Sequence, residues 1–174
     1  MSLTITRSGI AGLALGLTAN VSLLSIGLAA EDLPHSTLVA ADGSGVPPGF
    51  TAEQWLAAQG EARVVAQANS QDVIEFEASG LVPEGLYTFW WVSDRLIGMD
   101  MGPGGGVPDN EFTADAEGHA ATTIRVPSDN TYEMMVVAYH ADGQTHGESP
   151  GEMGTETFEH LKGTWPGPAG EMPN

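Results

Sequence analysis

QDVIEFEASGLVPEGLYTFWWV, residues 71–92, is the stretch on which the reading of the fold turns. In its first eight residues Ile74, Phe76 and Ala78 alternate with Glu75 and Glu77. Successive side chains of a strand point to opposite faces, so this pattern describes a strand with one face in a core and one in water. LVPEG then supplies turn residues. LYTFWWV, residues 86–92, is apolar on both faces, as in a central strand covered on both sides.

The same period extends outward. EARVVAQ (residues 61–67) precedes the alternating run, with Asn69 and Ser70 at the centre of a hairpin turn. EFTA (111–114) and HAATTIRV (119–126) are joined by DAEG, a second hairpin signal. TYEMMVVAYH (131–140) is a second strand apolar on both faces, TETFEHL (155–161) predicts a final strand and STLVA (36–40) a first one. One helix interrupts the pattern near residues 51–59, with Thr51 as N-cap, Gln54 closing a capping box, Trp55 as core anchor and Gly60 as stop. Short strands, Gly/Pro/Asn/Asp turns and a single short helix predict an all-β, antiparallel β-sandwich of immunoglobulin-like, cupredoxin-like or jelly-roll-like type. ASGLVPEGLYTFWWV (78–92) resembles in cadence exported β-sandwich domains, cupredoxin-like ones included. The likeness is one of composition, and the copper-binding cysteine of cupredoxins is absent, so it carries no function.

The first thirty residues read as a secretory signal: Arg7, an apolar run over residues 10–28, then the small residues Ala29 and Ala30. Cleavage after Ala30 is the expectation, by the general secretory route, giving a secreted or periplasmic protein. An uncleaved anchor is the alternative, because the run is long enough to span a bilayer. Residues 31–163 then form a single domain, and residues 164–174 a flexible tail, loose apart from Trp165. The chain has no cysteine. It is held without disulfides, and thiolate chemistry is excluded, including type 1 copper, iron–sulfur clusters and Cys₄ zinc.

The formal net charge is −18, from 5 basic and 23 acidic residues. Without residues 1–30 the chain loses only Arg7 among these, leaving four basic against 23 acidic residues and a net charge of −19. Nucleic acid and anionic membrane surfaces bind through Lys and Arg and are excluded as partners. The acids are scattered along the chain, which fits a saline medium better than one acidic site.

Two long loops carry the candidate chemistry. Residues 93–110 follow one central strand and residues 141–154 the other; loops of this length in a compact domain often carry function. A meander places them at opposite ends of the fold, a Greek key at the same end. His140, His146 and Met153, with Met99 and Met101 of the first loop, form a candidate metal set. Imidazole and thioether without cysteine suit copper. Calcium is the lesser candidate, through Asp109, Asn110, Glu111, Asp115 and Glu117, although DAEG lacks the spacing of a calcium-binding loop and reads first as an acidic turn. GESPG (147–151) matches G-x-S-x-G, but no strand runs straight into it and no helix follows, so Ser149 is not assigned as a nucleophile. Trp90 and Trp91 face opposite sides of their strand, where core on both sides is favoured over a glycan platform.

The leading functional expectation is an exported, monomeric, non-enzymatic binding or structural module with a protein or glycan partner. The alternative is an exported copper-binding protein using the His and Met residues of the two loops. A small hydrolase built on loop carboxylates and a histidine is a third reading, and nothing in the sequence selects its residues.

Overall fold

A computed structural model describes residues 33–167. The signal reading of residues 1–30 and the tail beyond residue 167 lie outside the described residues. The chain forms β1 (His35–Ala40), α1 (Ala52–Trp55), β2 (Gln59–Ala68), β3 (Gln71–Ser79), β4 (Leu86–Asp94), β5 (Met99–Pro103), β6 (Glu111–Thr113), β7 (Ala120–Pro127), β8 (Met134–His140) and β9 (Thr157–Thr164). The protein is all-β and its strand pairings are antiparallel. The order across the sheet is β5-β4-β8-β9-β1-β2-β3-β7, with β6 also on β4.

The sheet is continuous and curls into a half-barrel. Its two halves join at β1 and β9, which share only the pairs Val39↔Lys162 and Ala40↔Leu161. The curl brings strands distant in the order into contact. Phe76 of β3 meets Phe89 of β4 edge-on at 4.9 Å between ring centroids, and Phe112 of β6 at 5.5 Å. Leu38, Val64, Ile74, Tyr87, Ile124, Val137 and Leu161 fill the space around them.

The opening stretch folds as its pattern dictates. Ile74 and Phe76 are buried while Glu77 faces water. Asn69 and Ser70 both take positive φ, 53° and 61°, and turn β2 into β3 by two residues. β4 is buried on both faces: Tyr87 and Phe89 enter the main core, Trp90 and Val92 a smaller cluster with Val136 and Ala138. Both tryptophans are packed, Trp91 lying flat on Tyr132 at 4.5 Å.

Three elements differ from their sequence expectations. The helix is one turn, not nine residues. Its capping box forms, Thr51 Oγ1 accepting from Gln54 N at 3.2 Å and Gln54 Oε1 from Thr51 N at 2.9 Å. Gln59 and Gly60 then join β2, between β1 and β3. Gly60 lies within a strand and is not a helix stop, and a Cβ there would crowd Phe76 Cε2 at 3.1 Å and Leu161 Cδ1 at 3.2 Å. The DAEG turn does not join a paired hairpin. β6 pairs with β4 and β7 with β3, so the chain crosses here from one half of the sheet to the other. The loop of residues 93–110 contains a strand, β5, laid along the Trp90–Asp94 end of β4. At the C-terminal end β9 runs to Thr164 and Trp165 is buried in the core.

Candidate metal centre

Strand β8 ends at His140, and residues 141–156 loop out before β9 returns beside it, Thr157 opposite His140. His140 is 2% exposed. Its hydrogen bonds fix its tautomer. Thr157 Oγ1 donates its one hydrogen to the Pro150 carbonyl. Towards His140 Nδ1, 3.2 Å away, that oxygen can therefore only accept, so Nδ1 carries the proton. On the other side Trp90 Nε1 donates to Thr88 Oγ1 at 2.8 Å. Thr88 in turn donates to the His140 Nε2 lone pair at 2.8 Å. Burial, reinforced by His146 nearby and opposed by Asp142 and Glu111, lowers the His140 pKa and keeps the ring neutral.

The loop then places Asp142 and His146 over this buried end. Ligand atoms of His140, Asp142 and His146 all lie within 4.8 Å of one another. The His146 ring centroid is 5.7 Å from that of His140. His146 Nε2 stands 3.3 Å from Asp142 Oδ2 and 3.9 Å from Glu156 Oε2. That nitrogen is shielded from solvent and has no hydrogen-bond partner among the described residues. The carboxylates are held by main-chain amides: Asp142 Oδ1 accepts from Gln144 N at 3.1 Å, and Glu156 Oε2 from Glu152 N at 3.0 Å. Gly151, at φ +89°, backs the imidazole so closely that a Cβ would fall 2.5 Å from His146 Cδ2. Thr145 Oγ1 ties the loop to β6 through Glu111 Oε1 at 2.7 Å.

The five sequence candidates divide. His140 and His146 come together. Met153 is in the same loop, bridged to Thr157 and half-exposed. Met99 and Met101 are elsewhere: Met101 pairs with Val92 and His140 with Leu86, six residues apart along β4, or about 20 Å at strand rise. The two long loops thus start at opposite ends of β4; the second is tied by Thr145 to Glu111, the first residue of β6 after the first loop. Asp142 and Glu156 were not among the sequence candidates. The spacing His140-x-Asp142-x₃-His146 was the available signal for Asp142; Glu156 carried none.

The other candidates resolve into structure. Asp115 caps its own turn, Oδ1 accepting from His119 N at 2.7 Å and Glu117 N at 3.0 Å. The His119 amide bond foremost holds its carboxyl below the usual range. Glu111 accepts from Thr145, and Ser149 Oγ accepts from Gly151 N at 3.4 Å. His160 borders a pocket of about 180 Å³ with Phe50, Trp55 and Leu81. Its ring stacks on Trp55 at 3.6 Å. Tyr87 OH accepts from Val82 N and donates to His160 Nδ1 at 2.9 Å, while Nε2 donates to the Trp55 carbonyl at 3.0 Å. With both nitrogens engaged, the ring has no lone pair or proton to offer a substrate.

Among the described residues no helix is long and apolar enough to cross a membrane. No known protein family matches the sequence, and no curated protein is detectably similar to it.

Proposed function

We propose that the chain is an exported, non-enzymatic binding module whose ligand is a divalent transition-metal ion, taken up by the loop of residues 141–156. The observation that carries this reading is the convergence of His140, Asp142 and His146, with Glu156 beside them. Nitrogen and carboxylate oxygen suit zinc or copper(II). Cu(I), which prefers thioethers, loses its support because Met99 and Met101 sit at the other end of β4. The scaffold reads as sandwich-like: the contact of Phe76 with Phe89 supports two facing half-sheets around one core. Titration of the untagged full chain with Zn²⁺, Cu²⁺, Cu⁺ and Ca²⁺ tests the reading. One equivalent of Zn²⁺ or Cu²⁺ should bind. With free zinc at 100 times its Kd, the folded state gains about 2.7 kcal/mol, a rise in Tm on the order of 5–10 °C for a domain of this size. His146→Ala should abolish both effects. Calcium binding without zinc binding would refute it.

A second reading rests on a separate feature. Leu96 and Ile97, at the turn between β4 and β5, are fully exposed, with Met99 and Met101 beside them. Exposed apolar clusters mark docking sites, and the net negative charge disfavours an anionic membrane as the target. A protein partner would then contact Ile97. A photo-crosslinking residue at position 97 should give one discrete adduct in cells, lost on Leu96→Ser, and a diffuse smear would count against it.

A further inference from the structure

The metal-binding reading leaves open which atoms hold the ion. Resting on that reading, we propose that the ion is held by His146 Nε2 and one oxygen each of Asp142 and Glu156. His140 positions the loop without touching the metal, and the fourth coordination position is open to a small exogenous donor.

His140 is the most buried member of the cluster, yet it is the least available. A metal would bind the lone pair on Nε2. Thr88 Oγ1 occupies that direction at 2.8 Å, which leaves no room for an ion at about 2.0–2.1 Å. Thr88 is itself fixed by the Trp90 indole. Reversing the ring would trade the proton on Nδ1 for a second acceptor facing Thr157 Oγ1, whose hydrogen is already given to Pro150. The chain Trp90–Thr88–His140–Thr157–Pro150 is thus saturated from end to end. It clamps the start of the loop to β4 and β9 and sets where Asp142 and His146 emerge.

His146 has the opposite character. Its Nε2 is shielded from water and unpartnered, a costly arrangement for a polar atom unless something completes it. Two carboxylate oxygens flank it, and neither is placed to receive a hydrogen bond from it. Ligands sharing an ion stand in that relation, because the ion lies on the lone-pair axis and its other donors lie beside it. Two donors at about 2.0–2.1 Å from a tetrahedral zinc are about 3.4 Å apart. His146 Nε2 and Asp142 Oδ2 are already 3.3 Å apart; Glu156 Oε2 is 3.9 Å from that nitrogen but outside the group of ligand atoms lying within 4.8 Å of one another, so its side chain must swing in towards Asp142 to complete the site. Each carboxylate has a main-chain amide bond that holds it in place.

Three protein donors fill three corners of a tetrahedron. The three side chains keep 25%, 26% and 41% of their surface in solvent, so the fourth corner is open to water and to small ligands such as azide or a carboxylate. Such a site exchanges its ion and its fourth ligand, unlike a closed four-residue structural site.

The test uses the full chain with zinc and with cobalt(II) as a spectroscopic substitute. Imidazole ¹⁵N NMR with one equivalent of zinc should move the His146 nitrogens and leave His140 with its proton on Nδ1. Glu156→Gln should weaken zinc at least about tenfold, since even outer-shell losses cost that much. Thr88→Val, which breaks one link of the clamp and leaves the three ligands intact, should weaken zinc by less than Glu156→Gln does. Azide should shift the visible bands of the cobalt form. A moving His140 resonance, or no effect of Glu156→Gln on a folded variant, would overturn the assignment while leaving metal binding intact. Cobalt bands indifferent to azide would overturn the open position. No zinc uptake by calorimetry would remove the metal reading and this inference together. The NMR measurement needs no variant, so a substitution that fails to fold does not block the test.

Discussion

Two buried histidines, His140 and His160, are held neutral by different neighbours for the same reason. Each has one nitrogen donating and one accepting, so a second proton has no acceptor. Burial pushes the His160 pKa from 6.5 down to about 4, its bond to the Trp55 carbonyl opposing this only in part; His140 moves in the same direction. Between these two values the unfolded chain binds the proton that the folded chain refuses. Stability contributed by the neutral ring is therefore complete above pH 6.5 and is lost as pH falls towards 4. The displacement for His160 alone corresponds to about 3 kcal/mol. Urea denaturation at pH 7.5, 5.5 and 4.2 should show the wild type losing stability relative to His160→Phe at each step, a comparison in which the carboxylates common to both cancel. A difference that stays constant across that window would contradict the assigned protonation. At this scale the sequence was legible where size spoke: Trp55 and Trp90 announce core. It was silent on Thr88, Thr157 and Asp142, whose roles come from partners brought in by β4 and β9. Asp72 was hidden similarly. It is fully buried on β3, accepting from Gln67 and Ser128, where the alternation alone would place an apolar side chain.

At the scale of elements, strands with a strict period of two could be read directly, β3 best of all. β5 could not. MDMGP carries no alternation and is a strand because β4 offers it a free edge, with pairing by main-chain groups that any sequence supplies. The DAEG turn misled because local turn chemistry is the same whether the next strand returns beside the last or crosses to the other half. The loop of residues 141–156 was legible as long and polar, and its geometry was not. That geometry depends on Gly151, where a positive φ and the His146 ring leave no space for a side chain. Gly151→Ala should cost about 1–2 kcal/mol for the left-handed backbone and push the His146 ring away from Asp142 and Glu156. The fold should survive and zinc binding should drop at least tenfold, as read by calorimetry beside a thermal melt. Wild-type affinity in this variant would mean that the ring is not held where the loop places it.

For the whole molecule, charge is the property that sets its response to the medium. Among the described residues the net −18 is opposed by few Lys or Arg pairs: Arg63 with Glu75 and Glu77 and Arg95 with Asp100, on exposed side chains, and Lys162 with Glu159, whose side chain is 21% exposed. Pairs of this kind are worth little, so the long-range electrostatic balance is repulsive and weakens the compact state. Among the described residues Glu148 and Glu152 of the candidate metal loop form no ion pair with Lys or Arg, and Glu156 has the His146 imidazole at 3.9 Å. Screening acts in one direction on such a surface. The Debye length falls from about 10 Å at 0.1 M salt to about 3 Å at 1 M, which removes repulsion between carboxylates one or two strands apart and removes little attraction, because little exists. Tm should therefore rise monotonically from 0.05 to 1 M KCl. The rise should be smaller near pH 4.5, where part of the carboxylates are protonated and the repulsion is already reduced. Potassium chloride is the right probe, since a sulfate salt would also strengthen burial of the apolar core and confuse the two effects. A Tm that falls with KCl at neutral pH would mean that the surface pairs outweigh the repulsion. The acidity would then need an explanation in binding and not in a saline medium.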